Sequence, residues 1–391
     1  MSHFEILARC PTTRARVSRL TLAHGPTILP TFMPVATQAA IKGLTPQQVE
    51  SLGVTLILNN TYHLNLRPGV QVLSEAGRAH KFQGWTKNLL TDSGGFQLVS
   101  LSKFATITEE GALFESPFTG EPTMLTPEES ISIQHAIGAD IIMQLDDVVP
   151  SLTPDHARVE EAMERSIRWL DRCIAYHNSS GNQDTQNLFA IVQGGLDFEL
   201  RDRCVRAMIE RKKNVSGFAI GGLSGGEEKG MELNVKQCAE KLPEDRPRYC
   251  MGVGFAEDLL VCVALGVDMA DCVFPTRTAR FGVALTFQGP LNLRLAKHAK
   301  DFAPIDADCP CPTSVTLHNI TFQARLMGGA RDAISNGTFP EYLRTFFARY
   351  FGDVGYPEWC VNALRSVGVD LLEGSDIKVV PGSGAKWEYS E

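Results

Sequence analysis

The chain has 391 residues, of which 43% are hydrophobic and 21% charged, close to globular averages. No apolar run approaches the roughly 20 residues that span a bilayer, so direct membrane insertion is not expected. A formal net charge of −8 argues against a sequence-blind nucleic-acid binder held by its overall field, although it leaves room for a local basic groove. Ten cysteines without a repeated spacing, apart from the close pair Cys309 and Cys311, argue against a secreted disulfide framework and fit a reducing cytoplasm.

In chain order, the N-terminus carries Arg9, Arg14, Arg16 and Arg19, but Glu5, Pro11 and Pro26 interrupt any amphipathic targeting helix, and the segment reads as mature sequence. Short apolar, β-rich runs then recur at residues 30–35, 54–58, 89–91, 140–145, 188–192, 217–220, 248–251 and 269–273. Helical patterns with apolar residues three and four apart lie between them, at 154–176, 197–212, 227–242 and 256–265. Strands alternating with helices in this number predict an α/β fold, a (β/α)8 TIM-type barrel over residues 1–300. The polar stretch 178–187 reads as a surface loop.

Past the last strand comes a Cys-Pro-Cys-Pro segment, then helical patterns at 319–335 and 340–350. The second carries an apolar stripe of Tyr342, Leu343, Phe346, Phe347 and Tyr350, which core packing explains better than a ligand pocket. Residues 301–371 are expected to form a small C-terminal subdomain with closing helices. The Gly-, Ser- and Lys-rich stretch from residue 374 is expected to fray, within a flexible tail over 372–391.

In a parallel barrel the loops at the strand ends converge on one mouth, and the polar punctuation of this sequence falls there. The predicted strands end in Thr91-Asp92-Ser93-Gly94-Gly95-Phe96-Gln97, Asp146-Asp147, Gln193-Gly194-Gly195, Gly221-Gly222-Leu223-Ser224-Gly225-Gly226-Glu227, Met251-Gly252-Val253-Gly254 and Asp271. Taken singly, each has an ordinary explanation, since Asp and Gly are the commonest turn residues. Together, the carboxylates, a carboxamide and exposed glycine amides describe a pocket that reads a planar heterocycle and cleaves at an acetal carbon. Such cleavage passes through an oxocarbenium-like state, for which one carboxylate as nucleophile and another as acid or base is usual. Downstream, Arg277, Arg280, Arg294, Lys297, His298 and Lys300 make one stretch locally basic; it is either a phosphate-contacting surface or a solvated helix face.

Four of these segments, Asp92–Gln97, Val192–Gly195, Gly221–Glu227 and Asp271–Arg277, match in order the signatures of the tRNA-guanine transglycosylases, which the sequence resembles from about Phe4 to Val369. The resemblance implies a catalytic subunit of eukaryotic type that exchanges the wobble guanine of tRNAs with a GUN anticodon. It casts Asp271 as the nucleophile on ribose C1′ and Asp92 as the proton acceptor and donor. Asp92, Ser93, Gly94, Gly95, Phe96, Asp146, Gln193, Gly222, Leu223 and Met251 would line the base site. Within it, Asp146 would meet the Watson–Crick edge, Gln193 and the Gly222 N–H the carbonyl, and Phe96 and Met251 the ring faces. RNA would lie along Gly252, Val253, Gly254, Phe255, Ala256, Glu257 and Asp258 and along Thr276, Arg277, Thr278, Ala279 and Arg280, with the two arginines reading the flanking uridines. Val148 and Gly225 match the eukaryotic relatives where bacterial ones carry cysteine and valine, which leaves room for a cyclopentenediol group and implies queuine as the incoming base.

The family also holds a structural zinc with three cysteines and a histidine. Here Cys309, Cys311 and His318 match, but Ser314 stands where the third cysteine belongs, and serine is a poor zinc ligand. Either the site is degraded, or a segment before His318 is missing from the sequence; the abrupt break between intact motifs favours the second. The resemblance further implies a heterodimer with a non-catalytic homologous subunit, and a cytoplasmic location with peripheral attachment to the mitochondrial outer membrane through that partner. A passive binding subunit is disfavoured by the presence of both Asp92 and Asp271. A hydrolase of free nucleosides would not explain the arginines after Asp271, and an archaeal-type enzyme would need further C-terminal domains.

Overall fold

The computed structural model describes residues 2–96, 106–115, 120–223, 230–311 and 314–382. Three N-terminal strands, β1 (His3–Arg9), β2 (Arg16–Leu22) and β3 (Gly25–Leu29), form an antiparallel sheet. This sheet was not expected from the sequence. Its alternation is visible in β1, where Phe4, Ile6 and Ala8 are the more buried positions, but the clustered arginines obscure it.

The barrel follows: β4 (Thr31–Pro34), β5 (Leu56–Asn59), β6 (Asn88–Thr91), then an inserted antiparallel sheet of β7 (Thr106–Ile107), β8 (Ala112–Glu115) and β9 (Pro122–Leu125). It resumes with β10 (Ile141–Met143), β11 (Asn187–Val192), β12 (Gly217–Ile220), β13 (Arg248–Cys250) and β14 (Met269–Cys272). The eight barrel strands are hydrogen-bonded in the order β4-β14-β13-β12-β11-β10-β6-β5, all parallel. A parallel bridge between Val35 and Leu58, with the Ala36 N–H donating to the Leu58 carbonyl at 2.6 Å, joins the two ends. All eight expected strands are present, and their uniform burial is what a sheet covered on both faces requires.

The helices start where polar residues can hold their free N–H groups. Asp155 caps His156–Ser179, Asp197 caps Phe198–Glu210, and Thr126 with Glu129 forms a capping box on Pro127–Ile137. The expected loop at 178–187 shrinks because the first of these helices runs on to Ser179. After the barrel a hairpin of β15 (Val283–Thr286) and β16 (Gly289–Asn292) packs on helix Val315–Ser335, which begins four residues earlier than the apolar pattern indicates because Ser314 caps it. Asn319 of this helix donates to the carbonyls of Pro275 and Val283, both at 3.0 Å, and Gln323 donates to that of Gly254 at 2.7 Å. The helix thereby fastens two loops of the barrel mouth. Helix Phe339–Phe351 buries Leu343, Phe346, Phe347 and Tyr350 in the core, as the stripe predicts. The stretch expected to fray is tied down as far as β18 (Val379–Val380), which pairs in parallel with β17 (Tyr356–Pro357).

Inside the barrel, Met33, Leu56, Leu58, Leu90, Ile141, Met143, Phe189, Ile191, Ala219, Tyr249 and Met269 pack on one another, and Leu20, Leu22 and Leu29 of the N-terminal sheet close the bottom. That sheet is anchored by a buried ion pair: Arg16 donates to both Asp268 oxygens at 2.8 and 2.7 Å and to the carbonyls of Glu244 and Arg246. Asp268 also accepts the Arg248 N–H at 2.8 Å. Removing one member strands a buried charge, so Arg16→Met is expected to lower unfolding free energy by about 3–5 kcal/mol. Urea denaturation measures this; activity per folded molecule should be unchanged, since the pair lies at the end of the barrel away from Asp92 and Asp271.

Candidate active site at the barrel mouth

Side chains on a strand alternate, so the residue two beyond the last interior position points up into the mouth. Leu90 is followed at that spacing by Asp92, Ile191 by Gln193, Ala219 by Gly221, Tyr249 by Met251, and Met269 by Asp271. Five of the candidate positions thus share one parity. Asp146 does not: Gln144 keeps the outward parity, its side chain buried and bonded to Ser166 and Ile191, and alternation breaks after it at Leu145, which packs with Ile142 in the core outside the barrel. The break sends Asp146 inward and Asp147 outward. Arg158 grips both Asp147 oxygens at 2.5 and 2.8 Å, and Arg165 adds a bond at 2.6 Å. Asp147 is therefore an anchor, while Asp146 faces the site.

The groups form a continuous ring. Asp92 accepts from the Thr61 N–H at 2.8 Å and from the Asn60 amide at 2.5 Å, both at the end of β5. Next to it, the Ser93 hydroxyl donates to Asp146 at 3.0 Å, and Gln193 donates to the other Asp146 oxygen at 2.6 Å. A Cβ on Gly222, which sits at φ +65°, would stand 2.3 Å from the Gln193 carbonyl oxygen, so only glycine fits beside the carboxamide. A Cβ on Gly95 would press to 3.0 Å from the Asp146 carbonyl. One on Gly221 would reach within 3.5 Å of the Met251 sulfur and 3.2 Å of the Gln193 amide, which places Met251 beside the same pocket. Phe96 is half-exposed and Leu223 is buried.

Opposite this half, the Tyr249 hydroxyl and the Gly252 N–H, the latter at 3.0 Å, both donate to Oδ1 of Asp271. Oδ2 accepts no hydrogen bond among the described residues. Burial raises the Asp271 carboxyl above its ordinary range, and the Tyr249 and Gly252 bonds hold it back. The Tyr249 phenol is held well above its ordinary value by burial and by the Asp271 and Asp92 carboxylates. Tyr249 and the Asn60–Thr61 pair were not singled out in the sequence; a polar side chain at interior parity one step below Met251 was the available signal for the first.

The segments expected along RNA divide by exposure. Gly252 is exposed and Phe255 half-buried, whereas Val253, Gly254, Ala256, Glu257 and Asp258 are buried. Helix Phe274–Arg280 turns Arg277 and Arg280 outward, three residues apart, with Thr276 and Thr278 buried and Ala279 between these extremes. Arg294, Lys297 and Lys300 are also exposed. Val148 is half-buried beside Asp147. Gln97, Ser224, Gly225, Gly226 and Glu227 lie outside the described residues.

Elsewhere, the donor atoms of Cys309, Cys311 and His318 lie within 4.8 Å of one another. His318 sits in the first turn of its helix and its Nε2 bonds the Leu285 carbonyl at 2.8 Å, which leaves Nδ1 toward Cys311 at 3.4 Å. Ser314 does not join them: its hydroxyl accepts the Leu317 N–H at 3.1 Å as the helix cap.

A parallel barrel that gathers two hydrogen-bonded carboxylates and a buried carboxylate–carboxamide pair at its mouth defines a glycosyl-transfer enzyme with a base-reading pocket. Residues 10–316 match the family model described as queuine tRNA-ribosyltransferase, and the chain belongs to that family. It is 52% identical over 400 aligned residues to the "Queuine tRNA-ribosyltransferase catalytic subunit" of Schizosaccharomyces pombe, covering 94% of this chain and 98% of that one. The corresponding subunit of Caenorhabditis elegans is 46% identical over 405 residues, at 94% and 99% coverage. A bacterial "Queuine tRNA-ribosyltransferase" from Dictyoglomus turgidum is 42% identical over 373 residues, at 90% and 95%. Among the described residues no helix is long and apolar enough to cross a membrane.

Burial pushes the Asp146 carboxyl up to about 6, against the Gln193 and Ser93 bonds that lower it, and the Asp147 charge adds to the rise. A guanine edge donates N–H groups and so binds the ionised form; KM for guanine is expected to increase as pH falls through about 6. For stability the sign is opposite: a raised carboxyl favours the fold at low pH, and that contribution is lost as pH rises through about 6. At pH 7.5, Asp146→Asn should therefore keep or raise the thermal midpoint while raising KM for guanine at least about tenfold. A lowered midpoint with unchanged KM would assign Asp146 to the scaffold instead.

Proposed function

We propose that this chain exchanges the wobble guanine of tRNAs with a GUN anticodon for queuine, by double displacement at ribose C1′. The observation that carries the reading is the pairing, at one mouth, of Asp271 held through a single oxygen with the Asp146–Gln193 pair that suits a guanine edge. The target nucleotide leaves its stack to reach the pocket, with Met251 and Phe96 against the ring faces. Asp271 Oδ2 attacks C1′, the C1′–N9 bond breaks, and its electron pair leaves with the purine, which takes a proton from Asp92. The incoming base gives its N9 proton to Asp92 and attacks C1′, and Asp271 departs as the carboxylate. Two displacements at one carbon give net retention of the β-configuration. Tyr249 and Gly252 stabilise the departing charge at Oδ1 in the second step.

Exposed Arg277 and Arg280, continued by Arg294, Lys297 and Lys300, supply the surface for the anticodon and its flanking phosphates. Along 252–258 the RNA contact falls to Gly252 and Phe255, the members that reach the surface. The relatives' name, a catalytic subunit, supports assembly with a second, non-catalytic homologue. Free thiols at all ten cysteines support a cytoplasmic setting.

Cys309, Cys311 and His318 are donors that suit zinc and would hold such an ion, which would tie the Cys309–Cys311 segment to helix Val315–Ser335. The alignments to the S. pombe and C. elegans subunits are longer than this whole chain, which supports a segment carried by those relatives and missing here. The metal is expected to leave on brief exposure to a chromophoric chelator while base exchange persists; a tightly held ion would indicate a fourth protein ligand.

Asp271→Asn should reduce release of labelled guanine from tRNA by orders of magnitude with tRNA affinity retained. Retained release would remove Asp271 from the reaction, and release from free guanosine at a comparable rate would favour a nucleoside hydrolase. Labelled queuine should be incorporated in preference to the smaller aminomethyl-deazaguanine precursor; the reverse preference would defeat the pocket-size argument.

A further inference from the structure

Arg201 is fully buried, yet both acceptors it bonds are neutral backbone carbonyls. Its Nε donates to Gly195 at 2.6 Å, on the loop after β11, and its Nη2 donates to Gly221 at 2.8 Å, on the loop after β12. These two loops carry Gln193 and Gly222. The same Nη2 stands 3.7 Å from where a Cβ on Gly222 would be, so the guanidinium packs against the residue whose amide is assigned to the base carbonyl. Gly194 is drawn so close that its own Cβ would come within 2.9 Å of the Arg201 backbone nitrogen. Asp197 caps the helix that holds Arg201, which fixes its first turn against both loops.

We propose that Arg201 is a positioning residue for base recognition, one fork that sets the Gln193 carboxamide and the Gly222 N–H at the spacing a purine carbonyl needs. Burying a guanidinium is expensive, and Nη1 of Arg201 finds no hydrogen-bond partner among the described residues; what the burial secures is the Nε and Nη2 bonds that fasten two glycine turns. The planar fork spans two carbonyls on separate strands; an ammonium, with one nitrogen, cannot. The inference rests on the assignment of Gln193 and Gly222 to that carbonyl.

Competitive inhibition by guanine and by 6-thioguanine separates the possibilities. The thione keeps the N–H edge that meets Asp146 but offers a weak acceptor in place of the oxygen. The wild-type protein should bind guanine roughly 10-fold or more tightly than 6-thioguanine. In Arg201→Lys and Arg201→Gln the guanine constant should rise roughly 10- to 100-fold and that for 6-thioguanine less than about threefold, so the preference collapses while tRNA affinity stays within about twofold. Equal weakening of both bases, or loss of the cooperative unfolding transition in both variants, would make Arg201 a scaffold residue and overturn the proposal. Should the wild type itself bind the two bases equally, the carbonyl assignment fails and takes this inference with it. If the wild type discriminates, Gln193→Leu abolishes the preference and both Arg201 variants retain it, the positioning role alone is refuted.

Discussion

Closure of the parallel sheet is the constraint on which the rest of this molecule depends, because it converts a repeated strand pattern into a ring of side chains. Eight short strands pair edge to edge until β14 meets β4, with Asp271 beside Met33, and the Val35–Leu58 bridge completes the circuit. Once the circle is closed, every interior side chain at the top of a strand faces the same small volume. Carboxylates separated by well over a hundred residues in the chain become neighbours without any local sequence signal that pairs them. The N-terminal sheet fills the opposite end, so the mouth is where polar groups can remain hydrated.

Within that mouth the charges are managed unequally, and the inequality makes chemistry available. Asp147 is fully neutralised by Arg158 and Arg165 and is an anchor. Asp146, its neighbour, has only neutral donors, so burial raises its carboxyl and makes it an avid acceptor for a base with matching N–H groups. Asp271 receives two donors on a single oxygen, which orients the carboxylate and leaves the other oxygen uncommitted. Asp92 is held by the loop after β5 rather than by its own strand. Each residue thus takes its role from the neighbour that bonds it, and those neighbours come from different strands.

The C-terminal elements act through the loops they hold. Asn319 and Gln323 bind the backbone of the two segments that follow strands β14 and β13, and His318 on the same helix faces Cys311. Support for the mouth and the metal-type cluster therefore belong to one helix. The Ser314 hydroxyl caps this helix, which is why it can begin there.

Much of this was legible in the residues themselves. The eight apolar runs and their polar terminations carry the barrel and the rim, because a strand buried on both faces must be apolar and a loop at the mouth must hold its polar groups in turns. The period of two places Asp92, Gln193, Met251 and Asp271 on one side of their strands, and the closing aromatic helix is equally plain in its stripe. Other features had no local signature. The choice between Asp146 and Asp147 turns on a break in alternation at Leu145 and on arginines from a separate helix; the hydroxyl on Asp271, the fork of Arg201 and the burial of most of 252–258 likewise depend on elements far away in the chain. Local pattern determines which residues can face inward, since alternation and burial are properties of a single strand, whereas hydrogen-bond partners and desolvation arise only when distant strands share one volume.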